Sequence, residues 1–362
     1  MEQTSFFKQS SFTNQTEPTV ALTSNMCAQV DGSPYVFVLG YSLVFVVGLV
    51  LNVCTIRFYL CQAQQETSSR MMVYLKNLTA ADFLICLTLP LYIANYSSNS
   101  ITIRSIYCNV GPAIFYVNMW ASILFLSCIA ANRYVQIVRP SGTPALQSVR
   151  TAHVFSAVTW GSVLLVGSVF VTLIIVNRDP LKSALDGCDV DLSAHTLVLY
   201  KVLYTFTSTM FFFVLVSLLF FYHGISRTVS LAQQNQLASS NSTILVRSRR
   251  NMLVLVTVFC VCFIPFHLVR LPYVFLWTNC PVNHVFYYLV ELSRFMSVLN
   301  ICLDPVLYIM LCESFRSQLK QMMLFRAVTL MMQRLNRNNL HVNTVSVNGA
   351  AVTQVTHRPE VC

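Results

Sequence analysis

Hydrophobic positions along this chain gather into seven long runs, near residues 35–60, 72–96, 108–138, 152–176, 195–224, 249–277 and 284–311, with polar stretches between them. The hydrocarbon core of a bilayer is roughly 30 Å thick and a helix rises about 1.5 Å per residue, so about 20 predominantly apolar residues suffice to cross it. Each run reaches that length. The pattern predicts an all-α membrane protein, a seven-transmembrane helix bundle spanning residues 35–311. Polar side chains isolated inside such runs are costly in lipid, so each is a candidate functional residue.

The segments outside the runs differ in kind. Residues 1–34 are rich in Ser, Thr, Asn and Gln and read as a disordered tail. No cleavable leader is read there, and the first run is expected to act as a signal anchor. Residues 312–327 place Phe315, Leu319, Met322, Met323 and Phe325 among Arg316, Lys320 and Arg326, which predicts a short amphipathic eighth helix in the membrane interface. Residues 328–362 begin partly amphipathic and end as a polar tail offering Ser and Thr for phosphorylation. The third inner loop reads as the Gln/Ser/Asn-rich stretch between His223 and Arg249.

Composition agrees, with 55% hydrophobic and only 10% charged residues among 362. The formal charge of +10 could suggest nucleic acid, but the basic residues argue otherwise. Arg57, Arg70, Arg133, Arg139, Arg150, Arg227, Arg247, Arg249 and Arg250 all fall on one side of the seven crossings, together with the basic tail. That side is read as cytosolic, where such residues also meet anionic lipid, and the N-terminus as extracellular. The protein is therefore expected in the plasma membrane as a multi-pass chain.

Four of the thirteen cysteines, Cys27, Cys108, Cys188 and Cys280, fall on the expected outer side, an even number in an oxidising compartment. Four cysteines allow three pairings, which sequence alone does not separate. Topology favours Cys108 with Cys188, leaving Cys27 for Cys280. Asn14-Gln15-Thr16 is an accessible glycosylation acceptor, whereas Asn95-Tyr96-Ser97 lies close to the membrane.

Polar residues recur at set places within the runs. Run one holds Gly48 and Asn52, run two Asp82, run three Ser122 and then Asn132-Arg133-Tyr134, and run four Trp160. Run six carries Phe259, Cys262, Phe263 and Pro265, and run seven Asn300 followed by Asp304-Pro305-x-x-Tyr308. Asp82 with Asn52, Ser122, Asn300 and Asp304 is expected to form one mid-membrane polar cluster. Two carboxylates facing one pocket suit a small cation or a shared proton. Pro265 removes a backbone hydrogen bond and supplies a hinge.

This constellation, one motif per run and in register, closely resembles the rhodopsin-like (class A) G-protein-coupled receptors over about residues 35–325. The resemblance implies a ligand-gated switch without chemistry of its own. It gives Arg133, with Asn132, Tyr134 and Tyr222, to G-protein coupling; Phe259, Phe263 and Pro265 to the transmission switch; and Asp304, Pro305 and Tyr308 to its counterpart on the seventh span. It gives Asp82, Ser122 and Asn300 to an allosteric sodium pocket. Two departures stand out: Asn132 replaces the usual aspartate beside Arg133, and Phe263 replaces the common tryptophan.

Ligand class is the finer question. Phe115 stands where aminergic receptors carry an aspartate, which argues against a monoamine. His267 and Arg270 follow Pro265 on the pocket side, and arginine's planar fork suits phosphate; the alternatives for Arg270 are snorkelling outward or pairing with Glu291. The stretch is similar to the purinergic nucleotide receptors of the ADP and UDP-sugar type. By that match Tyr116, His267, Arg270, Tyr273 and Glu291 line the pocket, although Val290 replaces a lysine of the ADP-type members. Asn132-Arg133-Tyr134 with Val138-Arg139-Pro140 also resembles the platelet-activating factor receptor, so a phospholipid, including a lysophospholipid, is the alternative ligand. The resemblance further implies a heterotrimeric G protein, of the inhibitory class, with arrestin and receptor kinases acting on the tail. A transporter or channel using Asp82 and Asp304 as an ion path is the rival from another class; the absence of internal repeats and broken spans counts against it. No nucleophile and base pair suggests an enzyme.

Overall fold

A computed structural model describes residues 35–63, 69–98, 100–139, 148–177, 194–234, 239–276, 280–312 and 315–317. Asn14, Cys27, Cys188, most of the amphipathic segment and the tail beyond it lie outside the described residues. All regular structure described is helical: α1 Tyr35–Ala63, α2 Arg70–Ser97, α3 Ile101–Val138, α4 Val149–Asn177, α5 Ala194–Gln234, α6 Ser239–Leu276, α7 Cys280–Val298 and α8 Asn300–Leu311. Seven helical spans are long and apolar enough to cross a membrane, α7 and α8 together supplying the seventh across Tyr288–Leu311.

The helices pack around α3, whose buried face runs from Tyr107 through Phe115, Met119, Phe125 and Ile129 to Asn132. It touches α2, α4, α5 and α6. Large apolar side chains on α1, α4 and α5, such as Leu39, Leu43, Val158, Leu165, Phe213 and Phe220, point away from the bundle. An apolar exterior of this extent is what a lipid-facing surface requires.

Two helices extend further than the hydropathy pattern indicated. α5 continues to Gln234 and α6 begins at Ser239, so helix occupies most of the stretch read as a loop between His223 and Arg249. A helix need not stop where the apolar run stops, because backbone bonding continues once polar side chains face water.

Close approaches fix the seventh span. Pro305 has no N–H, so the carbonyl of Ile301, four residues earlier, loses its helical partner. Asn52 Nδ2 on α1 donates to that carbonyl at 3.0 Å and to the Gly48 carbonyl at 2.9 Å. Gly48 is what admits the contact, since a Cβ there would stand 2.9 Å from Ile301 Cδ1. Between α2 and α4, Trp160 Nε1 donates to Asn77 Oδ1 at 2.9 Å, which places Asn77 inside the bundle. Phe58 of α1 meets Phe315 edge-on, with centroids 4.5 Å apart, and residues 315–317 form a helical turn after α8.

Candidate functional site

Near the ends of α5 and α6 that lie away from Arg133, a buried cation is wrapped in tyrosines. Arg270 of α6 is 6% exposed, so it does not snorkel outward. Its Nη2 donates to the Tyr200 hydroxyl at 2.8 Å and its Nε to the Tyr204 hydroxyl at 3.4 Å. The guanidinium also lies 4.8 Å from the Tyr273 ring centroid and 5.4 Å from that of Tyr204. Tyr200 and Tyr204 sit four apart on α5 and so face one direction. Tyr116 of α3 closes the group through a hydroxyl contact with Tyr204 and by packing on Phe170.

A second cation stands across the Phe115 and Tyr116 rings. Arg294 of α7 lies 6.0 Å from the Phe115 centroid and is ion-paired with Glu291 one turn earlier. The Tyr96 hydroxyl donates to the other oxygen of that carboxylate. Glu291 therefore serves Arg294, and the Arg270–Glu291 pairing considered as an alternative is not formed. Val290 is buried beside Phe170, Tyr204, Tyr273 and Val274. It lies one helical turn from Arg294 on the same face of α7.

His267 leads inward from this region. Its ring stacks on Phe211 at 3.9 Å and meets Trp120 edge-on at 5.7 Å. Phe211 in turn stacks on Phe259 at 5.6 Å, and Phe259 meets Phe263 at 5.4 Å. His267, Phe211, Phe259 and Phe263 thus form one continuous aromatic column. Close packing transmits a displaced ring to its neighbour, because interiors leave little free space.

Below the column lies the polar cluster. Asp82, Ser122, Asn300 and Asp304 are fully buried, and Asn118 is nearly so. Asn300 Nδ2 donates to Ser122 Oγ at 3.0 Å and the Tyr308 hydroxyl to Asp82 Oδ2 at 3.3 Å, while Asn118 and Asp304 face the Asp82 carboxyl. Asn52 is not part of this group, being committed to the Gly48 and Ile301 carbonyls. Asp82 Oδ1, Asn300 Oδ1 and both Asp304 oxygens have no hydrogen-bond partner among the described residues. Asn118 Nδ2 is likewise unpartnered, so donors are present, but the carboxylate and amide oxygens left over are of the kind a small hard cation takes.

At the far end, Arg133 Nη2 donates to the Leu311 carbonyl at 2.6 Å. Tyr134 packs between Phe220 and Phe221 of α5, against Gly224, where a Cβ would come within 2.5 Å of its ring. Tyr222 is half-buried against the same core. Asn132 is buried beside Arg133. Cys108 is disulfide-bonded, while the side chain of Cys280 lies outside the described residues. Asn95 is half-buried in the last turns of α2, with its Oδ1 enclosed.

Sequence reading missed Tyr200, Tyr204, Asn118 and Arg294. The signal for Arg294 was present, a charge inside the seventh apolar run three residues after Glu291. Tyr200 and Tyr204 carried only the weaker signal of two tyrosines at helical spacing.

A seven-span bundle with a buried arginine–tyrosine cluster at one end, an aromatic column and a second arginine at the other end has the layout of a transmembrane receptor. The chain belongs to the 7 transmembrane receptor (rhodopsin family), whose family model matches residues 51–308. It is 32% identical to purinoceptor 14 of Bos taurus over 291 residues, covering 77% of this chain and 82% of that one. Purinoceptor 13 of Homo sapiens is 29% identical over 77% of this chain and 78% of its own. Platelet-activating factor receptor of Bos taurus is 27% identical over 79% and 84%.

Proposed function

We propose that this receptor sits in the plasma membrane with residues 1–34 outside, binds a phosphate-bearing nucleotide or nucleotide sugar at Arg270, and activates a heterotrimeric G protein of the inhibitory class. The observation that carries this reading is Arg270, buried yet presented by three tyrosines. The planar fork of a guanidinium matches phosphate oxygens in paired, charge-assisted hydrogen bonds. The tyrosine faces add stacking surface of the kind a nucleobase uses. Tyr116, His267 and Tyr273 complete that wall, and Glu291 fixes Arg294 beside it. Similarity to two purinoceptors supports the same ligand class.

Agonist binding would shift the population toward a state with α6 swung outward at the Arg133 end, through the His267–Phe211–Phe259–Phe263 column. Asp82, Ser122 and Asn300, with Asp304, would hold sodium in the resting state. Residues 312–327 would lie along the inner interface, and 328–362 would be the cytoplasmic tail that receptor kinases and arrestin read. Cys108 would pair with Cys188 and Cys27 with Cys280, with Asn14 glycosylated.

A second reading rests on Val290. Its burial among Phe170, Tyr204, Tyr273 and Val274 makes one pocket wall apolar where a cation would otherwise stand. That suits an acyl chain, and similarity to a platelet-activating factor receptor points the same way. The test is G-protein activation in cells lacking background receptors, comparing nucleotides and UDP-sugars with platelet-activating factor and lysophospholipids. A response to the first group supports nucleotide recognition; a response confined to the second replaces it with phospholipid recognition.

A further inference from the structure

Two cations stand among the lipid-facing side chains of α1 and α2. Arg57 is exposed on the stripe of α1 that carries Val50, Val53 and Leu60, and half-buried Lys76 lies on the stripe of α2 that carries Leu84 and Leu87. Arg57 comes six residues before the end of α1 and Lys76 six residues after the start of α2. At about 1.5 Å per residue, both are about 9 Å inside their helix ends. They are therefore level on neighbouring helices that run in opposite directions. The Lys76 ammonium lies 6.0 Å from the centroid of the Tyr59 ring, so it leans across the seam onto α1.

A charge at that depth in lipid needs an anion or a path to water. Between residues 35 and 98 the sequence holds two acids, Glu66 and Asp82. Asp82 is fully buried, with its carboxyl turned to Asp304 and Tyr308. Glu66 falls in the connection between α1 and α2, outside the described residues. Among the described residues neither Arg57 nor Lys76 has an ion-pair partner.

We propose that Arg57 and Lys76 form a headgroup site for one anionic phospholipid of the leaflet around them, whose phosphate both cations reach and whose acyl chains lie along the α1 and α2 stripes. Phosphate oxygens accept charge-assisted hydrogen bonds from both an ammonium and a guanidinium. A zwitterionic lipid brings its own ammonium with its phosphate, so two cations select a lipid of net negative charge. The bound headgroup ties α1 to α2 on the outside of the bundle, away from the arginine and tyrosine cluster around Arg270.

The test is native mass spectrometry of the purified full-length receptor, titrated with phosphatidylserine or with phosphatidylcholine of the same acyl chains. Wild type is expected to bind the first phosphatidylserine more tightly than the first phosphatidylcholine. A basic residue near an anionic headgroup contributes a factor of about five in binding, so Lys76→Gln and Arg57→Gln are each expected to weaken phosphatidylserine binding by about that factor. Lys76→Arg keeps the charge and is expected to keep the binding. Arg104→Gln, an exposed cation at the start of α3 and so at the opposite end of the bundle, is expected to leave it unchanged. Should one glutamine variant fail to purify, the other gives the same readout. Equal binding of the two lipids by wild type overturns the site, as does undiminished phosphatidylserine binding in the glutamine variants, or an equal loss in Arg104→Gln.

Discussion

Arg270 of α6 and Tyr200 of α5 are joined by a 2.8 Å hydrogen bond from Nη2 to the phenolic oxygen, inside a tyrosine cluster where the Tyr273 ring centroid lies 4.8 Å from the same guanidinium. Lysine reproduces the charge of that group but neither its planar fork nor its stacking on rings. Arg270→Lys is therefore expected to lose most of the agonist potency that Arg270→Ala loses, about a hundredfold for the alanine variant, by the cost of charge-assisted bonds. Tyr200→Phe, which removes one hydroxyl, is expected to cost about tenfold or less. Dose–response curves at matched surface density check the ranking; full rescue by lysine would show that charge alone matters.

Glu291 and Arg294 form a buried pair braced by Tyr96, and breaking one half leaves the other charge unpaired. Such losses cost about 3–5 kcal/mol, whereas apolar replacement of both partners is often neutral. Glu291→Leu is expected to lower the melting temperature and surface level, and Glu291→Leu with Arg294→Met to restore much of both. Thermal unfolding in detergent measures this. A double variant no more stable than the single would show that the pair is not the source of the loss.

How far these residues could be read in advance depends on what each signal encodes. The spans were legible because lipid demands a continuous apolar exterior, and Asp82, Asn300 and Asp304 because polar residues there are rare. The ends of α5 and α6 were not, since hydropathy reports where lipid stops and not where the helix stops. The contact of Arg133 with the Leu311 carbonyl was also hidden, because a backbone acceptor leaves no mark in sequence. Arg270 and Glu291 were each visible as charges, but only packing shows that Glu291 is claimed by Arg294.

Asp82 faces Asp304 and Tyr308 in a cluster rich in unpaired acceptors. Sodium held there would favour the resting state, so replacing external sodium by N-methylglucamine is expected to raise basal signalling. Asp82→Asn removes the anion and is expected to abolish that dependence. Persistent sodium sensitivity in the variant would place the effect elsewhere.

Asn132 is buried next to Arg133, whose Nη2 donates to the Leu311 carbonyl. Asn132→Asp adds an adjacent counter-charge and is expected to lower ligand-independent signalling at equal surface expression. Unchanged basal activity would show that the missing aspartate has no consequence here.

The most direct test of phosphate recognition at Arg270 is G-protein activation by ADP, UDP-sugars and platelet-activating factor, in wild type and Arg270→Ala, in cells lacking background receptors. The account predicts activation by a nucleotide or UDP-sugar in wild type and its loss in Arg270→Ala, with surface expression unchanged. Equal nucleotide potency in the two proteins, or activation confined to platelet-activating factor, would contradict it.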